Sequence, residues 1–285
     1  MRIVMTLILA TGASALADTK APATPSPNAE LAQRLEAIVS KSAHASADVP
    51  RFAFTGNLSL EQPANWGEAT MGFPENALAD AGKTVVVSTD PDTAVISTHL
   101  NEFSSCPAAG CAKASPESTL RAVAVLEKTN GNWQPIAWAI TNSIPGAAQQ
   151  DAMEQGIMPD KIGRNTAGAD EVAKQFETSA ADPKAFAASF SDRKEVVMFG
   201  SELPERYVGA KAKTQITSWN FAFKVRDGLR AGISKSGNLA WVAANVDATS
   251  VKNAKAKPIP FRMFAVYEKS STGWKVVELQ FSTAV

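Results

Sequence analysis

The chain has 285 residues, with 28 basic and 28 acidic side chains, 45% hydrophobic residues, two cysteines and two histidines. That length suffices for one large domain or two of ordinary size. Balanced charge without a run of five like charges excludes the electrostatic footprint of a nucleic-acid or anionic-lipid binder. The apolar share excludes intrinsic disorder, and two cysteines are too few for a disulfide scaffold.

Residues 1–17 read as a secretory signal. Arg2 supplies a basic start, Ile3 to Ala10 an apolar core, and Ala15-Leu16-Ala17 a small-x-small cleavage pattern. The apolar run is shorter than the roughly 20 residues needed to span a bilayer. The expectation is therefore an exported protein, periplasmic or secreted, with no membrane attachment after cleavage. Residues 18–28, rich in Pro, Ala and Thr, read as a flexible tether.

Next, Glu30 to Ser42 places Leu31, Leu35, Ile38 and Val39 on one face at helical spacing. From Arg51 to Ala81 the breakers Pro63, Gly67, Gly72 and Pro74 interrupt any further helix. Ala77 to Thr84 (ALADAGKT) fits the loose phosphate-loop pattern. A working loop opens a helix, however, and Thr84 opens a strand. Gly82 to Asn101 reads as a hairpin, as does Leu120 to Thr141, and the loop between them carries Cys106 and Cys111 as CPAAGC. After export to an oxidising compartment these cysteines are expected to form a disulfide. With His44 and His99 as the only histidines, a metal site or a Ser-His-Asp triad has almost no material, and no cofactor is expected.

Asn142 to Gly168 reads as a linker, with the domain boundaries set at 29–143, 144–168 and 169–285. Asp170 to Phe190 predicts two short helices, the second starting at Pro183. Val196 to Val208 predicts a hairpin turning near Glu202 to Pro204. Ala210 to Phe221 predicts a helix, and four strands complete the chain. The two halves resemble each other. Gly82–Asn101 aligns without a gap on Gly228–Asp247, and Leu120–Thr141 on Phe261–Ser282, matching Arg121 with Arg262, Glu127-Lys128 with Glu268-Lys269 and Trp133 with Trp274. The order of elements predicts the α+β class, two domains each of helices with an antiparallel sheet.

The stretch Val197 to Gly209 (VMFGSELPERYVG), the helix through Trp219 and the ending RMFAVYEKSSTGWKVVELQFS resemble the SnoaL-like domains of the nuclear transport factor 2-like superfamily, near the calcium/calmodulin-dependent kinase association-domain branch. The resemblance spans Asp170 to Val285. It implies a strongly curved sheet wrapped around helices to enclose a cavity, and a first copy that is degenerate. The superfamily includes isomerases, dehydratases and hub domains, so fold alone does not assign chemistry. It also implies dimerisation through the open sheet face, which a tandem chain satisfies internally as a pseudo-dimer. Where that branch carries the pattern WxxxHxHxS, this chain has Glu278 and Gln280 after Trp274, so the imidazoles are missing.

Strand alternation puts Asn245 and Asp247 on one face with Trp241, and Trp274, Val276, Glu278, Gln280 and Ser282 on one face of the last strand. The expected ligand-binding set is Tyr207, Trp219, Asn245, Asp247, Arg262, Glu278 and Gln280 in the second cone. Arg262 reads either as an anchor for an anionic ligand or as an ion-pair partner of Glu268, Glu278 or Asp247. The leading expectation is non-catalytic binding of a small, partly apolar molecule, or service as an interaction module. The alternative is an isomerase or hydro-lyase using Glu278 or Asp247 as general base.

Overall fold

The computed structural model describes residues 51–54, 78–79, 83–102, 118–142, 162–202, 204–253 and 255–282. The expected signal and tether, the helix expected at 30–42, His44, Cys106 with Cys111, and the expected linker up to residue 161 lie outside the described residues. The protein is α+β, with two six-stranded sheets and three helices among the described residues.

In the first sheet, β1 (Arg51–Phe54), β2 (Leu78–Ala79), β3 (Val85–Asp90), β4 (Thr93–Glu102), β5 (Ser118–Thr129) and β6 (Asn132–Asn142) follow one another along the chain. Turn chemistry sets the hairpins. Asn130 and Gly131 both have positive φ and join β5 to β6 in two residues, the twist-compatible connection that asparagine-glycine favours. Between β3 and β4 the Asp90 carboxylate accepts from the Asp92 amide and the Thr93 hydroxyl, each at 2.8 Å. β1 lies parallel to β6, and the remaining pairs are antiparallel.

The second half begins with α1 (Asp170–Ala180) and α2 (Pro183–Ser189). Val172, Ala173, Phe176 and Ala180 form the buried stripe of α1, and Asp170 and Glu171 complement the positive end of its dipole. Asp182 caps α2 by accepting from the Ala185 amide at 2.7 Å, with Pro183 in the first turn where no amide donor is needed. The hairpin β7 (Val197–Phe199) and β8 (Arg206–Val208) leads into α3 (Ala210–Trp219). This helix ends two residues before the expected Phe221, because Asn220 turns left-handed at φ 55° and releases Phe221 into a strand. The long strands β9 (Phe221–Ile233), β10 (Leu239–Ser250), β11 (Ile259–Ser270) and β12 (Gly273–Ser282) form an antiparallel meander, and β7 adds parallel to β12.

Two apolar clusters occupy opposite faces of the second sheet. The helix-side cluster joins Val172, Phe176, Phe186 and Ile216 to Val242, Ala244, Met263, Ala265, Leu279 and Phe281. Edge-to-face contacts of Phe186 with Phe176, Phe190 and Phe223, at centroid distances of 5.7 to 6.2 Å, hold the helices in the cone. On the other face, Phe199, Trp241, Ala243, Phe264, Val266 and Val277 share a cluster with Val87, Val95, Val123, Val125, Ala137 and Ala139 of the first sheet. The two sheets therefore pack face to face, and the seam between them is a continuous core.

A bulge decides which side chains meet that seam. The β11–β12 register shifts between Val266 and Tyr267, leaving Val277 as an extra residue. Trp274 and Val276 consequently belong to the helix-side cluster, whereas Glu278 pairs across to the seam residue Val266. This corrects the expectation that Trp274, Val276, Glu278, Gln280 and Ser282 share one face.

Candidate ligand pocket and the polar seam

The mouth of the second cone is built where several strands end together. α3 delivers Trp219, β9 starts with Phe221 and Phe223, β11 starts with Ile259 and Phe261, and β12 closes with Phe281. Along each strand the alternate residues share a face, so Phe221 with Phe223, and Ile259 with Phe261, point the same way. With Ser201 and Glu205 from the β7–β8 turn they line a cavity of about 220 Å³. Its rings brace one another, with Phe281 contacting Trp219 and Phe261 edge-to-face at 5.4 and 6.0 Å and Phe223 in a tilted pair at 5.4 Å. Tyr207 stands behind this wall, edge-on to Trp219 at 6.3 Å.

Among the described residues Glu205 is the single ionisable group in the lining. Its carboxylate accepts from the Glu202 amide at 2.9 Å, while its own carbonyl accepts from the Gly200 amide at 2.9 Å. A β-carbon on Gly200 would fall 2.2 Å from Glu205 Oε2, so glycine is what lets the carboxylate fold against the turn. Burial raises the Glu205 pKa, and the neighbouring Glu202 charge adds to that effect, while Arg121 opposes it.

Arg121 comes from the other sheet. Fully buried on β5, it crosses the seam and donates to the carbonyls of Gly200 and Glu202, fixing the turn that carries Glu205. Burial lowers its pKa to about 10, with the Glu205 charge pulling the other way. Its guanidinium also sits 5.6 Å from the Phe199 ring centroid, and His99, its cross-strand partner, packs 5.4 Å from the same ring.

Five of the seven residues expected inside the cone lie elsewhere. Asn245 pairs with Arg262 across β10 and β11, and Arg262 pairs with Ser282, on the face that Phe264 and Val266 turn to the seam. The Asn245 amide donates to Asp227 at 3.3 Å. Asp247 is bound by Arg226, and Glu268 by Arg193 at 2.6 Å. Gln280 donates across the seam to the Arg121 carbonyl at 3.2 Å and the Thr141 hydroxyl at 2.7 Å. Glu278 is wholly buried, neither carboxylate oxygen has a hydrogen-bond partner, and burial raises its pKa well above the usual range. Of the expected set, Trp219 lines the cavity and Tyr207 supports it. The lining residues not anticipated are Ser201, Glu205, Phe221, Phe223, Ile259, Phe261 and Phe281. Their signal was the alternation of aromatics at strand ends, in FAF at 221–223 and IPF at 259–261. Among the described residues no group of three His, Cys, Asp or Glu side chains could hold a metal ion.

Every residue lining the cavity falls within one recognisable unit. Residues 172–285 match the family model of the SnoaL-like domain. No curated protein is similar to the chain. Solved structures similar to it include an NTF2-like protein of unknown function from Pseudomonas putida, 15% identical, covering 42% of this chain and 89% of that one with a TM-score of 0.33. A cystatin-like-fold protein of unknown function from Nostoc punctiforme is 12% identical, covering 42% and 97% with a TM-score of 0.30. A ketosteroid isomerase candidate from Parabacteroides distasonis is 17% identical, covering 46% and 96% with a TM-score of 0.31. The region that matches this model presents an aromatic cavity on the helix side of its sheet and a buried polar set on the other. The cavity can take up an apolar body and offer it one carboxylate. In the polar set Asn245, Arg262, Glu278 and Gln280 are buried, and Gln280 bonds to the first sheet.

Proposed function

We propose that the protein binds a small, partly apolar molecule in the cavity of its SnoaL-like domain, without catalysis. The observation that carries this reading is the aromatic wall of Trp219, Phe221, Phe223, Phe261 and Phe281 around about 220 Å³ with the Glu205 carboxylate in the lining. An isomerase or hydro-lyase using Glu278 or Asp247 as base has no support in this geometry. Glu278 lies in the seam and Asp247 is tied to Arg226, neither lining the cavity.

The rest of the reading concerns organisation. We infer a tandem chain of two cones, 29–143 and 169–285, joined by a linker over 144–168 and packed as an internal pseudo-dimer, exported by the signal at 1–17 and tethered through 18–28. Support for the duplication comes from matching irregularities. The β5–β6 register shifts between Val125 and Leu126, at the positions that align with the shift between Val266 and Tyr267. His99 faces Arg121 as Asn245 faces Arg262, and β1 lies parallel to β6 as β7 does to β12.

The test uses 1-octanol as an apolar probe of the full chain. Calorimetry should register saturable binding, and Ile259→Trp, which fills the cavity from its rim, should abolish it while leaving the melting temperature unchanged. Absence of octanol binding, or equal binding by the filled variant, would overturn the pocket assignment.

A further inference from the structure

Resting on the pocket assignment above, we propose that the ligand is an organic cation: an alkyl or aryl ammonium whose charged head meets Glu205 and whose apolar body packs against the rings of Trp219, Phe223, Phe261 and Phe281. Three features of the site lead there. First, the wall is aromatic rather than aliphatic, with five ring-bearing residues beside one isoleucine among the described residues. Aromatic faces attract a cation through their quadrupole in a way that aliphatic walls do not, and the attraction grows once water is excluded. A neutral alkyl ligand gains little from that choice over leucine or valine.

Second, the charge at the edge of the cavity is negative. Arg121 donates to the Gly200 and Glu202 carbonyls, and Arg206, next in the chain to Glu205, donates to the Lys83 carbonyl, so neither guanidinium is among the residues lining the cavity. Among the described residues the charge presented to a ligand is therefore the Glu205 carboxylate, which an anionic ligand would meet in a site of low dielectric. Third, the carboxylate is held in place before any ligand arrives. The Glu202 amide holds Oε2 at 2.9 Å and the missing β-carbon of Gly200 gives it room. A fixed acceptor loses little conformational entropy on binding, which is the condition for a strong charge-assisted hydrogen bond to an N–H donor.

The groups facing Glu205 also set the pH dependence. Burial and Glu202 favour its protonated form, while Arg121 and the Glu202 and Ser201 amides favour the carboxylate; Tyr207 borders the same turn and is neutral through this range. A cation binds the carboxylate, so its affinity rises with pH until Glu205 is ionised and then levels off. A neutral ligand is insensitive to that titration.

Three eight-carbon probes, octylammonium, 1-octanol and octanoate, separate the possibilities by calorimetry on the full chain. Octylammonium should bind about tenfold tighter than octanol, the scale expected of a cation–aromatic contact with a charge-assisted hydrogen bond. Octanoate should bind weakest. Glu205→Gln should erase the preference for octylammonium and its pH dependence while leaving octanol binding intact. Octanol binding as tightly as octylammonium, with Glu205→Gln without effect, would overturn the cation assignment and leave the apolar pocket standing. Failure of all three probes would overturn both.

Discussion

Glu278 is the residue whose chemistry is most at odds with its surroundings. It occupies the centre of an apolar seam beside Val266, with no hydrogen-bond partner on either oxygen. A carboxyl in that position folds protonated, although in the unfolded chain it ionises near 4.5. Folding then takes up a proton, so stability is greatest below that ordinary value and falls as pH rises towards the elevated folded value. Replacing it by a side chain of similar length without the acid removes this cost. Glu278→Met should stabilise the protein by about 1–3 kcal/mol at pH 7, the usual scale for an unsatisfied buried polar group. The gain should shrink towards pH 4. Denaturant unfolding of both proteins at pH 4.5, 6 and 8 measures it, and a variant less stable at every pH would show that Glu278 has a partner in solution.

Among the elements, the turn between β7 and β8 joins the two halves functionally, because its outer carbonyls accept from Arg121 of β5 and its inner side lines the cavity. Arg121→Met keeps the volume of the stem but leaves two carbonyls without their charged donor. It should cost about 2–4 kcal/mol of stability, given the strength of hydrogen bonds to charged groups. It should also weaken octanol binding in the other half of the chain. Unfolding curves and calorimetry on the same variant test both effects, and full retention of affinity would mean that the turn is rigid without its brace. Asp182→Ala, which removes the cap of α2, should cost about 1 kcal/mol and leave octanol affinity unchanged.

What the sequence made legible follows from what is local. The four long hairpins announce themselves through alternation and through turn residues such as Asn130-Gly131, and α1 and α2 through the Phe176 stripe and Pro183. Sidedness is different, because a strand's two faces are distinguished only by what packs on them. One extra residue at Val277 exchanges the faces of everything after it. That is why Glu278 and Gln280, polar and evenly spaced, read as a lumen lining when they face the other sheet. Glu205 was hidden for another reason: it sits in a short turn where no periodicity operates, and its place in the cavity depends on Gly200 and on an arginine some 80 positions earlier in the chain.

For the molecule as a whole, the seam accounts for the face that a lone cone would expose. Phe199, Trp241, Phe264 and Val266 are covered by Val87, Val95, Val123 and Val125 of the same chain. Further polar links rim the contact, with Asn238 donating to Asp90 at 2.8 Å and Arg206 to the Lys83 carbonyl at 3.0 Å. With that apolar surface already buried, no equivalent patch on the second sheet remains for a further copy. Light scattering at micromolar concentration should give the mass of one chain, and a stable dimer would require a different interface.

The segment that leads into α1 crosses the outer edge of β9. Asn165 exchanges backbone hydrogen bonds at 2.9 Å with Leu229 and Ala231, and Gly163 lies so close that any β-carbon on Gly228 would sit 2.2 Å from its carbonyl oxygen. β9 has 13 residues, a length at which an uncovered rim of amides and carbonyls recruits strands from other molecules. The crossing segment works as a stopper at the middle of that rim. A side chain at position 228 would lift the stopper without touching the cavity or the seam, so Gly228→Val should make the protein seed cross-β fibres on gentle warming, before its core has melted.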